Sequence, residues 1–469
     1  MSIVYELPAI LLRAGEEYRR LLREAEENLQ KRGLSSLSDT ASEDPVGYFE
    51  VRDNALFLAE HIADGTLAGK LDLIYIDPPF FSEIDQDARI EIKSTIYDKS
   101  VVIRFTAYKD TWGKDMSAYL FMLAVRLMLM RDVLSQTGSI FVHLDWHAVH
   151  AVKLMMDEIF GEKNFINEII WTYKSGGAAK RHFSRKHDTI LFYSKTDRYK
   201  FRLGKEKSYN RGLKPYRFKG VEEFHDDIGW YTLVNQKDVW QIDMVGRSSS
   251  ERLNYATQKP EALLARIIGS ATEEGDLAAD FFCGSGTLAA AAAKAGRRFI
   301  CTDISSMAVA NAMKRPLRDS CGFALKIRSS SDDAANHTAA IEAVFHGGSV
   351  RLISYKNDAV FESDRKGSDS DRQLSELMEK DPLAFVDYWG VGFIDHSKER
   401  FYPETALFRD KHGILKTAVK LDRQSFSARK TRDGEVCCGE QKRELSEQKP
   451  VIFAVDIFGN IVFTQPAEC

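Results

Sequence analysis

The apolar positions of this chain fall into two periods, and the places where the period changes divide it. In the first 45 residues Leu11, Leu12, Tyr18, Leu21, Leu22 and Leu29 recur at helical spacing among Arg and Glu. This predicts an amphipathic helix with Pro8 in its first turn, an end at Gly33 and a Ser-rich linker after it. Packing of that stripe onto the same chain is a simpler reading than pairing with another subunit. From Phe49 to about Gly161 short apolar runs alternate with helical patterns. Residues 71–76 and 138–144 read as buried strands, residues 116–134 as a Met- and Leu-rich core helix, and residues 82–111 as a polar loop. Asp53 and Asn54 supply an N-cap for a helix over 55–62. Further on, Ala278-Ala279-Asp280 enters a Gly-rich turn, followed by an Ala-rich helix over 288–295 with Gly296 as its C-cap and a strand over 298–302 that ends at Asp303. Gln258-Lys259-Pro260 opens an amphipathic helix over 261–271, with Pro260 at its first position. Beyond about Arg328, polar stretches at 329–333 and 364–371 separate strand-like runs at 385–393, 415–421 and 451–464, the last with a hairpin turn at Phe458-Gly459-Asn460. The resulting division is an N-terminal helix and linker (1–45), a first α/β half (46–165), a middle segment (166–256), a second α/β half (257–327) and a small β-rich C-terminal region (328–469).

Composition adds constraints. The 469 residues, 44% hydrophobic and 29% charged, suffice for two or three domains with ordinary cores. A net charge of −4 is not that of a chain that binds nucleic acid over its whole surface, but it allows a local basic patch. One exists: between Lys174 and Lys219 fifteen Lys and Arg stand against three acids, Asp188, Asp197 and Glu206. Phe183, Phe192, Tyr193, Tyr199, Phe201, Tyr209, Tyr216 and Phe218 are interleaved, a mixture suited to phosphates and stacked bases. The six cysteines follow no disulfide framework and no zinc spacing, so a reducing cytoplasm is expected. No apolar run is long enough to span a bilayer, and the first residues lack a signal-peptide pattern.

Two stretches carry the chemistry. The run Leu71–Ile76 ends in Asp77-Pro78-Pro79-Phe80. The prolines stop the ladder and fix the backbone, so a carboxylate, two carbonyls and a ring sit at the carboxyl end of a strand, the edge where open α/β sheets bind ligands. An exocyclic amine such as adenine N6 is a poor nucleophile because its lone pair is delocalised into the ring. Asp77 and the carbonyl of Pro78 can each accept one of its N–H bonds and Phe80 can stack on the base, which is catalysis by positioning and electrostatics. Taken alone, the four residues are more simply a Pro-Pro turn with Asp77 as a cap. The second stretch is Asp280-Phe281-Phe282-Cys283-Gly284-Ser285-Gly286-Thr287 with Asp303 after the next strand, a nucleoside-binding βαβ pattern. It lacks the third glycine of a dinucleotide fingerprint, where Ala289 stands, and lacks Gly-Lys-Ser/Thr, so a ligand with a ribose and no pyrophosphate fits. Cys283 reads as a packed small residue. His143, His147 and His150 match no common metal-ligand spacing.

Together these stretches resemble the β class of DNA N6-adenine amino-methyltransferases, which includes the modification subunits of type III restriction systems and the cell-cycle adenine methyltransferases. The order, Asp-Pro-Pro-Phe before Phe-x-Gly-x-Gly, is the permuted one of that class. Arg52-Asp53-Asn54, the run from Gly138 to Asp145 and Thr257-Gln258-Lys259-Pro260 match further, and the likeness covers about residues 45–315. It implies a Rossmann-like S-adenosyl-L-methionine-dependent methyltransferase sheet with helices on both faces and a target-recognition region inserted between the halves. It also implies a base flipped out of double-stranded DNA. Asp77, Pro78, Pro79 and Phe80 would then be catalytic. Asp280, Phe281, Phe282, Gly284, Ser285, Gly286 and Thr287 would cradle the cofactor, Asp303 would hold its ribose, and Gln258, Lys259 and Pro260 would flank its methionine. The 82–111 region, with Tyr108-Lys109-Asp110-Thr111-Trp112, would lie near the target base. Lys174, Lys180, Arg181, Arg185, Lys186 and His187 are the expected DNA contacts. A restriction subunit and a homodimer are partners the likeness allows. Transfer to cytosine N4, a non-catalytic specificity subunit, and an RNA substrate are the competing readings. Many N4 enzymes carry Ser where Asp77 stands, and the motifs here are intact.

Overall fold

The computed structural model describes residues 3–31, 46–82, 86–92, 94, 101–108, 115–176, 179–246, 248–253, 255, 257–326, 339–346, 349–357, 368–395, 399–410, 414–420, 451–465 and 467–468. Gly33, the polar stretch 329–333 and residues 109–112 lie outside the described residues. In chain order, helix α1 (Ile3–Lys31) precedes strand β1 (Gly47–Val51), helix α2 (Asn54–Ala63) and strand β2 (Leu71–Ile76). A hairpin of β3 (Gln86–Ile92) and β4 (Val101–Tyr108) leads to α3 (Met116–Val133), β5 (Leu134–Leu144) and α4 (Val149–Phe160). The middle segment holds β6 (Phe165–Thr172), β7 (His187–Ser194), β8 (Lys205–Tyr209), β9 (Phe224–His225), β10 (Trp230–Asn235) and β11 (Val239–Gln241). Then come α5 (Glu261–Ala271), β12 (Leu277–Asp280), α6 (Thr287–Lys294), β13 (Arg298–Asp303), α7 (Ser306–Arg318) and β14 (Phe323–Lys326). The C-terminal part has β15 (Ala339–His346), β16 (Ser349–Asn357), α8 (Ser368–Lys380), β17 (Val386–Asp395), β18 (Arg400–Phe408), β19 (Ala418–Lys420), β20 (Val451–Asp456), β21 (Ile461–Thr464) and β22 (Ala467–Glu468).

One sheet organises the molecule, in the order β11-β6-β7-β5-β2-β12-β13-β1-β14-β18-β17-β20-β21. Its centre, from β5 through β2, β12, β13 and β1 to β14, is parallel. The central strands are apolar on both faces because both are covered, as a parallel sheet requires. Helices α1 to α4 bury one face, with Leu71, Ile74, Ile76, Leu120, Leu127 and Ile140 at its centre. Helices α5 to α7 bury the other, with Leu73, Tyr75, Leu264, Ala278, Leu288 and Val309. This is the α/β Rossmann-like arrangement the sequence predicts. The two chain halves meet in the middle of it, since β2 pairs with β12, and their carboxyl ends lie side by side.

The structure corrects several expectations. Helix α1 starts five residues before Pro8, which sits inside it, and Leu12 is 66% exposed; Ile10, Ala14, Leu21 and Ala25 make the buried stripe. That stripe packs on the chain itself, in the core of α2 and α3. The segment expected as a polar loop over 82–111 contains the antiparallel hairpin of β3 and β4, whose Ile92 and Val101 join the C-terminal core, and Ser94 donates to Asp381 at 2.7 Å. Residues 368–371, expected in a polar loop, open α8. The C-terminal part is β-rich as expected, but β18, β17, β20 and β21 extend the central sheet. Tyr388, Phe401 and Phe453 share the core of α5 to α7, and the Tyr388 hydroxyl donates to the carbonyl of Ala310 at 2.7 Å. Among the described C-terminal strands, β15, β16, β19 and β22 form a sheet of their own. Pro260 is the N-cap of α5, one position before the first helical residue.

Candidate active site and nucleic-acid face

A cavity of about 550 Å³ opens at the carboxyl edge of the parallel strands. Asp77 to Phe80 come to it from β2, Asp280 to Ser285 and Thr287 from the turn after β12, Asp303 from the end of β13, and Gln258 and Lys259 from the approach to α5. Residues of the two motifs, about two hundred positions apart, therefore face one space. Two expected residues are not on its wall. Gly286 caps α6 at φ +70°, where a Cβ would lie 2.5 Å from that of Ala312, so it serves helix packing. Pro260 is buried in the cap of α5. Phe281 reaches the cavity but its ring is fully buried, 6.0 Å from that of Phe57.

At the β2 end, Lys259 donates to Asp77 Oδ2 at 2.6 Å, and its Nζ stands 4.9 Å from the centroid of the Phe80 ring. The lysine side chain is only 8% exposed, so this pair is poorly screened. Asp77 Oδ1 is buried and has no hydrogen-bond partner among the described residues. An orphaned acceptor of this kind costs about 1–3 kcal/mol unless a ligand satisfies it. Phe80 stacks on the buried ring of His143, with centroids 5.8 Å apart and planes at 27°.

At the β12 end the acceptors suit a ribose-bearing cation. Asp280 accepts from the Phe282 N–H at 3.0 Å, and burial pushes its carboxyl well above the ordinary carboxylate range, with the charge of Asp77 adding to the effect and the Phe282 bond opposing it. Asp303 is likewise raised by burial, against bonds from the N–H groups of Ser305 (2.9 Å) and Gly284 (3.0 Å). Each Asp303 oxygen keeps a lone pair for a hydroxyl. Gly284, at φ +47°, leaves the turn narrow, with Tyr255 3.3 Å from where a Cβ would be. Gln258 braces this side, donating to the Glu251 carbonyl at 2.7 Å and accepting from the Leu253 N–H at 2.8 Å. Thr287 Oγ1 donates to the Lys259 carbonyl at 3.1 Å, tying α6 to the lysine. The Cys283 thiol is raised well above its ordinary pKa by its contact with Cys301 and by burial, which removes it as a nucleophile.

Sequence reasoning missed several lining residues. Arg126 of α3 donates to Asp53 Oδ2 at 2.7 Å and to Asn54, and Asn54 donates to the Phe281 carbonyl at 2.6 Å, so one arginine ties the cap of α2 to the cofactor-side turn. An Arg in the middle of a Met- and Leu-rich helix was the available signal. Ile304 is 75% exposed on the wall beside Asp303, an apolar flank for a flat ring, and nothing in its local sequence marks it.

The loop between β6 and β7 lies at the same edge, because Leu144 at the end of β5 pairs with Thr189 at the start of β7. Lys174, Lys180, Arg181, Arg185 and His187 are exposed there, and Phe183 is 97% exposed among them. The Arg185 guanidinium lies 3.7 Å from the centre of the Trp146 ring. Lys186 departs from expectation: its Nζ donates to the carbonyls of Ser175 and Gly176 at 3.0 and 2.8 Å and to the Ser175 hydroxyl at 2.8 Å, so it braces the loop. Further along, Lys200 is held by Asp72 and Asp276, and Lys207 by Asp226, so the basic run is not one free face. His147 pairs with Asp145 at 2.6 Å.

The DNA methylase family model for N6 and N4 methyltransferases matches residues 71–314. The type II methyltransferase M.EcaI of Enterobacter cloacae is 27% identical over 388 residues, 67% of this chain and 82% of that protein. The type II methyltransferase M2.DpnII of Streptococcus pneumoniae is 27% identical over 247 residues, 52% of this chain and 82% of that one. A solved structure of M1.HpyAVI in complex with SAM superposes on 57% of this chain and 98% of its own, with a TM-score of 0.36 and 18% identity.

Proposed function

Because the chain belongs to the N6/N4 DNA methylase family, we propose that it transfers a methyl group from S-adenosyl-L-methionine to the N6 amine of adenine in double-stranded DNA. The observation that carries the reading is Asp77, which lines the cavity: one oxygen is fixed by Lys259, and the other is buried with no partner among the described residues. That free oxygen is the acceptor an exocyclic amine needs. A base inside the duplex cannot reach it, so the target is flipped out. Asp77 Oδ1 and the Pro78 carbonyl take the two N–H bonds, which localises the nitrogen lone pair and aims it into the cavity. Pro79 holds that turn rigid and Phe80 flanks the base. S-adenosyl-L-methionine supplies a methyl group on a sulfonium that departs as a neutral thioether. The new N–C bond forms as the C–S bond breaks, and the surplus proton of the amine passes to Asp77 Oδ1. Asp280 and Asp303 supply anionic acceptors for the sulfonium side and the ribose, and Gln258 and Lys259 close the methionine end.

Adenine is favoured over cytosine because Asp occupies the first motif position. The loop from Lys174 to His187 faces DNA, with Lys174, Lys180, Arg181 and Arg185 on phosphates. The type II names of the relatives favour a type II modification enzyme over the type III arrangement. The cytoplasm is the matching location, and among the described residues no helix is long and apolar enough to cross a membrane. A nucleoside digest of DNA incubated with the protein and labelled S-adenosyl-L-methionine tests the reading. Label in N6-methyladenine supports it. Label in N4-methylcytosine keeps the mechanism and overturns the base, and no label with no cofactor binding overturns both in favour of a specificity subunit.

A further inference from the structure

Beneath the base-flanking ring runs a buried polar chain that the transfer reaction does not use. Tyr173 follows β6 and closes the neck of the DNA-facing loop, its N–H donating to the Lys186 carbonyl at 3.2 Å. Its hydroxyl donates to Asp188 Oδ1 at 3.0 Å. Asp188 Oδ2 lies 3.2 Å from His143 Nε2, and His143 Nδ1 lies 2.9 Å from the Tyr75 hydroxyl. His143 and Tyr75 are at most 2% exposed and Asp188 is 9% exposed. With both nitrogens bonded, the imidazole plane cannot turn, and that plane carries Phe80 on one side and meets the edge of Trp171 at 90°.

We propose that Tyr173, Asp188 and His143 are positioning residues that tie the DNA-facing loop to the aromatic platform under the flipped base. The inference rests on the methyl-transfer reading above. Burying a carboxylate, an imidazole and two phenols costs free energy that an apolar strand end would avoid, and only a fully bonded chain tolerates it. Every link here is made, and it joins the neck of the loop to the Phe80 ring through three side chains. None of the three lines the cavity, so none touches the reacting amine. When the loop seats on phosphates, the neck at Tyr173 and Lys186 is fixed, and with it the hydroxyl that orients Asp188, the imidazole and the face on which Phe80 rests. A break in any one link leaves the platform free to turn. Correct DNA contact is thereby coupled to correct base placement.

The test uses the full-length protein, a duplex carrying its target site and labelled S-adenosyl-L-methionine, with Tyr173→Phe, Asp188→Asn and Asp188→Ala compared. Tyr173→Phe removes one oxygen from a half-buried position. Its kcat is expected to fall about tenfold, the rate equivalent of one hydrogen bond, while cofactor Kd, melting temperature and KM for DNA hold. Asp188→Asn keeps an acceptor for Tyr173 and is expected to retain most of the rate that Asp188→Ala loses. Combining Tyr173→Phe with Asp188→Ala is expected to cost little more than Asp188→Ala alone, because both break the same chain. Parental kcat in Tyr173→Phe, or fully additive losses in the pair, overturns the inference. In Tyr173→Phe, a fall in Tm together with cofactor affinity also overturns it, by reducing the chain to a structural role. A parent that methylates cytosine leaves the test intact, since the platform serves either base. A parent that methylates no DNA removes the premise and the inference with it, and the parental control identifies that case.

Discussion

The carboxyl edge of the central sheet and the basic loop beside it use charge in opposite ways. At the edge every charged group is held: Lys259 on Asp77, Arg126 on Asp53, Asp303 under two backbone N–H groups. On the loop, Lys174, Lys180 and Arg181 stand in solvent with no ion pair to any described residue. A reaction that must localise a lone pair needs fixed dipoles in a dry site, because reorganising them during the reaction would return the gain. Binding a polyanion needs only density of charge, which water and salt screen. The difference predicts that edge variants lose turnover and keep binding, and that loop variants do the reverse.

The sharpest break of that contrast is Asp77→Ala. Turnover is expected to fall by at least about 10²–10³, the scale on which a single oriented charge-stabilising group acts, with cofactor Kd unchanged by calorimetry. A variant that still turns over at the parental rate would place the chemistry elsewhere. Next in size is Lys174, Lys180, Arg181 and Arg185 replaced together by Ala. DNA affinity should drop steeply, and the slope of log K against log salt should become shallower by about 0.9 for each cation that meets a phosphate. Turnover at saturating DNA should hold. An unchanged salt slope would remove this loop from the interface.

Lys186 sharpens the comparison within the loop. Its ammonium already bonds Ser175 and Gly176, so Lys186→Ala should leave the salt slope nearly as it was, within about half of one phosphate contact. Faster amide exchange over 174–176 is the expected mark of its loss. A slope change as large as that of Arg181→Ala would mean that the brace opens and the lysine reaches DNA.

What was legible in the sequence follows the same line. Asp-Pro-Pro-Phe and Phe-x-Gly-x-Gly could be read because the backbone itself demands them: prolines end β2, and Gly284 and Gly286 adopt positive φ where a side chain would collide. The buried strands could be read because a parallel sheet covered on both faces is apolar throughout. Arg126, Ile304 and the Tyr173–Asp188–His143 chain could not, since their meaning comes from neighbours tens or hundreds of residues away. Charge counting found the basic segment but not the allocation of its charges, because Lys200 and Lys207 are neutralised by Asp72, Asp276 and Asp226, all three outside the counted window. The hairpin of β3 and β4 was hidden by its own polarity, and the C-terminal strands revealed their type but not that they complete the central sheet.

The smallest effect expected is also the one that sets the two regions against each other by sign. Asp280, on the cofactor side, is raised by burial above the 3.8 of an unperturbed aspartate. The stability linked to its proton is full below about pH 3.8 and is lost as pH rises through the folded value. Asp188, behind the loop, is pushed up by burial but brought net below 3.8 by His143, Lys259 and Tyr173. Its contribution is present above that pH and is lost as pH falls through the lowered folded value. Asp280→Asn, which keeps the acceptor for Phe282, should therefore raise the melting temperature of the cofactor-free protein at neutral pH by roughly 1–3 °C and lower its cofactor affinity. The gain should shrink as pH is taken down towards 4. Asp188→Asn should lower the melting temperature at neutral pH, and that loss should fade only below the range in which the Asp280 effect has already gone. A melting-temperature series from pH 8 to pH 4 on both variants separates them. Parallel curves would mean that burial treats the two carboxyls alike, and the contrast between a site strained for chemistry and a chain satisfied for position would fail.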